Sequence, residues 1–100
     1  MILALLLAAQ TVQPEGLRAE EQRALGASLE CQKRFLDSWP RRDRRRRGEA
    51  LIEESQAACA SQEAALRTVL RTRFNAQATD QVVRLIRATV REDMLRYIRR

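Results

Sequence analysis

The sequence predicts an all-α protein: an antiparallel helical hairpin held by a disulfide, a third helix packed on it, and a short signal segment in front. Three observations predict this. Apolar residues recur at spacings of three, four and seven over three separate stretches, the period of an amphipathic helix, and no alternating strand pattern is found. The chain is too short and, with 3 Gly, too Gly-poor for a nucleotide-binding α/β domain, and its 45% apolar residues make it too apolar for a disordered one. One cysteine falls in each of the first two periodic stretches, Cys31 and Cys59.

The first segment is Ile2–Ala9, eight apolar residues followed by Gln10, Thr11, Gln13 and Pro14. It is too short to span a bilayer, which takes about 20 residues, and it matches the short end of a signal-peptide apolar region. Residues 1–13 read as a signal peptide with cleavage near Ala9, and 14–100 as one helical domain. No Lys or Arg precedes the run, which departs from the usual signal pattern. The competing reading makes residues 2–9 a buried helix of a cytoplasmic protein.

The helices follow at about 15–38, 49–73 and 80–98. In the first, Leu17, Ala24, Leu25, Ser28, Cys31, Gln32, Phe35 and Trp39 mark one stripe. Pro14 suits its first turn, and Glu15, Glu20 and Glu21 suit the positive end of its dipole. Ser38-Trp39-Pro40 ends it, because the residue before proline is pushed out of the α region. In the second, the stripe is Leu51, Ile52, Ser55, Ala58, Cys59, Gln62, Leu66, Val69, Leu70 and Arg73, with Glu63 and Arg67 in the favourable i, i+4 order. A break over 74–78 follows, with Asn75 as C-cap and Thr79 or Asp80 capping the third helix. That helix carries Val82, Val83, Ile86, Val90, Met94 and Tyr97 on its apolar face and Arg84, Arg87 and Arg91 beside it. Asp93 falls near the middle of the apolar face.

Residues 40–48 join the first two helices. They hold Arg41, Arg42, Arg44, Arg45, Arg46 and Arg47 against Asp43 alone and have no apolar face, which reads as a connection containing at most a helical turn. The net charge of +6 comes mainly from this run and the last helix, and 18 of the 19 basic residues are Arg. The run is a candidate anion-binding site for lipid headgroups or a polyanion. Its other reading is a solvated turn. Nucleic acid is a poor fit, because only 4 residues are aromatic and no recognition motif is present.

The cysteines give a geometric test. In a symmetric hairpin, facing residues have numbers with a constant sum, and Cys31 facing Cys59 sets that sum at 90. Trp39 then faces Leu51, Phe35 faces Ser55, Ser28 faces Gln62 and Ala24 faces Leu66. Most of these positions lie on the stripes found independently. Closing roughly 29 residues would stabilise the fold by about 3–4 kcal/mol. In a cytoplasmic chain the same two would be buried thiols.

Catalytic chemistry finds little support. His is absent, which removes the commonest general base and metal ligand. Two cysteines are too few for a structural zinc site, and Glu53 and Glu54 are neighbours that diverge on a helix. No enzyme activity, metal or cofactor is expected.

The chain resembles small exported bacterial helical proteins with one Cys in each of two helices. The residues that carry this are Cys31, the stretch Ala57-Ala58-Cys59-Ala60-Ser61-Gln62-Glu63-Ala64-Ala65-Leu66-Arg67, and Met94-Leu95-Arg96-Tyr97-Ile98. The resemblance implies export and a helical fold and no activity. The function expected is therefore that of a periplasmic or secreted structural or protein-interaction protein. The alternatives are a basic protein on an anionic surface and, further off, a cytosolic nucleic-acid accessory protein.

Overall fold

The computed structural model describes residues 16–100, so the signal segment expected over 1–13 lies outside the described residues. These residues form five helices and no strand: α1 (Ala19–Asp37), α2 (Arg41–Arg46), α3 (Gly48–Ala58), α4 (Ala60–Leu70) and α5 (Ala76–Arg99). The all-α fold expected from the periodicity is the fold observed.

Helix α1 begins four residues later than the periodicity suggests. Glu21, at the third helical position, accepts the Arg18 backbone N–H at 3.0 Å, half of a capping box that fixes the start at Ala19. The helix ends where Trp39-Pro40 requires. Ser38 there donates its hydroxyl to the Phe35 carbonyl at 2.6 Å.

The stretch expected as one helix over 49–73 is two, α3 and α4, separated at Cys59, whose φ of −104° and ψ of 24° leave the helical region. No Gly or Pro marks the interruption in the sequence. The next break comes earlier than expected, over 71–75. There the N–H groups of Thr72 and Arg73 turn back to carbonyls three residues before them, at 3.1 Å each, in a tightened last turn. Asn75 is not a C-cap. Its side chain accepts the Ala78 N–H at 2.8 Å and opens α5 at Ala76, a turn ahead of the expected start. Thr79 and Asp80 consequently lie inside α5 and cap nothing.

Helix α1 packs along α3 and α4, and α5 crosses both. Two long-range links set the direction. Cys31 meets Cys59, and Glu21, ten residues earlier in α1, meets Arg73, fourteen residues later in the second strand of the hairpin. The two therefore run antiparallel. The sulfurs lie 2.11 Å apart with Cα atoms at 6.0 Å, the expected disulfide.

The core joins Leu36, Leu51, Ile52, Leu66 and Leu70 to Val83, Ile86, Val90, Met94 and Ile98 of α5. Leu36 is fully buried and lay outside the stripe assigned to α1, whereas Phe35 and Trp39 pack at the margin. Asp93 is exposed and not on the apolar face. Among the described residues, no helix is long and apolar enough to cross a membrane.

Candidate functional site

The arginine run is helical. Pro40, with φ near −59°, supplies a ready-made entry to α2, and the Arg44 N–H closes the first turn on the Pro40 carbonyl at 3.0 Å. The helix then stops at Arg47, whose φ of −115° and ψ of 25° turn the chain into α3. Without this turn the helical run would carry Cys59 out of reach of Cys31. A continuous helix from Pro40 would do so, but α2 is a separate piece lying against α3 and α5.

Six arginines so close together repel one another, and the structure distributes them to limit this. Arg44 donates to Asp37 at 3.2 Å, and Tyr97 of α5 donates its hydroxyl to the same carboxylate at 2.7 Å. One acid thus ties the end of α1 to α2 and α5. Its hydrogen bond, helped by burial, pushes the Tyr97 phenol above its ordinary value. Arg47 donates to Glu54 at 2.8 Å and lies over the Trp39 ring, 5.2 Å from its centroid. Arg46 stands 3.7 Å from Asp43, and Arg41 reaches the backbone oxygen of Arg100 at 3.2 Å. Arg42 and Arg45 are exposed and have no ion pair among the described residues.

Between this segment and the end of α5 runs an open groove of about 830 Å³. Residues 44–50 form one wall, and Leu95, Ile98 and Arg99 form the other. It holds five arginines and one carboxylate, Glu49. Gly48 makes the close approach of the two walls possible: a Cβ there would stand 2.6 Å from Ile98 Cδ1. The groove therefore contains four of the six expected anion-binding residues, Arg44 to Arg47, while Arg41 and Arg42 stay outside its walls. It also adds Arg99, which the charge run alone does not reveal.

Two further polar clusters were not legible in the sequence. Glu21 is 1% exposed and receives Arg73 in a bidentate pair, with Nε to Oε2 and Nη2 to Oε1 both at 2.7 Å. Arg73 also lies over the Phe74 ring at 4.3 Å. The guanidinium hydrogen bonds hold the Glu21 carboxyl below its ordinary value against the opposing effect of burial. The only signal for the pair was Arg73, a charged residue closing the apolar stripe of the second stretch. The second cluster is a chain of charges at the α4–α5 contact. Arg87 donates to Glu63, Glu63 pairs with Arg67 at 3.7 Å as the i, i+4 spacing predicts, and Arg67 donates to Asp80. The Arg67 bond lowers the Asp80 pKa. Arg91 adds a contact to Glu49 at 3.5 Å. The basic stripe of α5 is thus used in part to hold α5 on the hairpin.

Among the described residues, no group of three His, Cys, Asp or Glu side chains could hold a metal ion. No known family model matches the chain, and neither curated proteins nor solved structures give a significant match.

Proposed function

We propose that this chain is a small exported helical protein of structural or protein-interaction type, acting without catalysis in the periplasm or outside the cell. The observation that carries the reading is the Cys31–Cys59 pair at bonding distance between α1 and the α3–α4 break. Structural disulfides persist in oxidising compartments and are rare in the cytosol. In a chain this small such a link supplies stability that a limited core lacks. The arginine run supports the same reading, since Arg41, Arg44, Arg46 and Arg47 have partners inside the molecule.

Intact-mass measurement of the native protein tests this. The expected mature form begins near residue 10 and gains about 2 Da on reduction, one hydrogen per sulfur. A full-length chain whose mass is the same with and without reductant would refute export and the disulfide together. The second reading, a basic protein on an anionic surface, draws on Arg42 and Arg45, which have no ion pair among the described residues. Strong binding to anionic vesicles at physiological salt, lost on changing Arg44, Arg45, Arg46 and Arg47 to Gln, would favour it.

A further inference from the structure

We infer that the groove between the α2–α3 junction and the end of α5 docks an acidic, apolar-anchored segment of a partner protein. The inference rests on the protein-interaction reading and names the partner's chemistry.

Charge makes the first part of the case. The groove gathers five arginines against one glutamate, Glu49, whose exposed carboxylate also lies 3.5 Å from Arg91. Arg44 and Arg47 are engaged by Asp37 and Glu54. Arg46 has only a 3.7 Å contact to Asp43 with its side chain 73% exposed, and Arg45 and Arg99 have no ion pair among the described residues. Three guanidinium groups thus stand at one concavity with their donors available. A planar guanidinium binds a carboxylate in bidentate fashion, as Arg73 does to Glu21 in this chain.

The floor makes the second part. Leu95 is half-buried and Ile98 is buried, and both line the groove beside its arginines. Interfaces with an apolar centre, a polar rim and enriched arginine have this composition. Composition selects among anionic partners, because an apolar floor beside the cations suits a segment carrying both carboxylates and apolar side chains. Among the described residues, no aromatic side chain lines the groove to stack a base.

Fluorescence anisotropy on the intact, oxidised protein tests this. The probe is a labelled nonapeptide of Glu and Leu, with Leu at helical spacing. Its controls are the same peptide with Gln for Glu, phosphatidylglycerol vesicles, and oligothymidylate. The Glu/Leu peptide is expected to bind at least tenfold more tightly than the Gln/Leu peptide. The Arg45→Gln/Arg46→Gln/Arg99→Gln variant should weaken it at least tenfold, and Arg99→Gln alone at least threefold. These side chains are exposed and outside the core, so circular dichroism should show the parent fold. Leu95→Asn should cost threefold or more, while Arg23→Gln/Arg84→Gln, outside the groove, should stay within twofold. Binding by the triple variant within twofold of the parent would overturn the inference. So would tighter binding to vesicles or oligothymidylate than to the peptide. Neither result depends on the mass measurement, so this site and the export reading fail separately.

Discussion

Replacing Glu21 by Gln should cost more stability than any other single polar change in the molecule. The carboxylate is 1% exposed and accepts three hydrogen bonds, two from Arg73 and one from the Arg18 N–H. Gln keeps one acceptor oxygen but turns an NH2 toward a guanidinium, which leaves the Arg73 charge without a counterion. Removing one partner of a fully buried pair costs about 3–5 kcal/mol. The Arg73 side chain is 24% exposed, so water compensates in part, and about 2–3 kcal/mol is expected. For a domain of this size that is a fall in Tm of about 10–20 °C. The pH dependence has a definite sign. The Glu21 pKa is lower in the folded than in the unfolded chain, so the unfolded state binds the proton first. The stabilisation is complete above the ordinary Glu range and is lost as pH falls through the depressed folded value. Thermal melts by circular dichroism from pH 7 down to pH 2, with the disulfide intact, give both quantities. The parent should lose stability across the acid window more steeply than Glu21→Gln. A variant within about 0.5 kcal/mol of the parent at pH 7, or an identical acid slope in both, would refute the argument.

Three further outcomes are expected. Reduction of Cys31–Cys59 should lower Tm by about 15–25 °C in calorimetry, because a loop of this length is worth about 3–4 kcal/mol. Asn75→Ala should cost about 1 kcal/mol in urea unfolding, since it removes the side-chain acceptor for the Ala78 N–H at the start of α5. Thr79→Val should raise stability by about 1 kcal/mol in the same assay. The Thr79 hydroxyl is buried and has no hydrogen-bond partner among the described residues, and valine has nearly the same shape.

The features legible in the sequence were those decided by local chemistry. Proline at position 40 fixed the end of α1, and the i, i+4 order of Glu63 and Arg67 announced their contact. The cysteine register was legible because a hairpin couples two apolar stripes to one constant sum. The start of α5 was not legible by periodicity. Ala76, Gln77 and Ala78 form its first turn without a large apolar residue, so the apolar pattern begins a turn after the helix does. Asn75 suits either kind of cap by residue type, and only the Ala78 N–H beside it decides. Leu36 lies on a strip adjacent to Phe35 and Trp39, and a helix packed against several others buries a wider stripe than one facing a single partner. The Glu21–Arg73 pair joins residues 52 apart, and no local rule connects them.

The arginine run shows why composition alone divides so poorly between structure and function. As a string, Arg41 to Arg47 presents six equal cations. Folded, Arg44 and Arg47 are drawn to carboxylates on α1 and α3, where they brace the junction. Arg45 and Arg46 are turned outward beside Arg99, a residue 53 positions further along that no reading of the run would include. What separates the two sets is helical phase, Arg44 and Arg47 lying three residues apart on one side of α2, while the break at Arg47 turns the chain into α3. A single backbone departure from the helix therefore does two things at once. It returns Cys59 to the level of Cys31, and it brings the exposed cations of two distant segments to one groove.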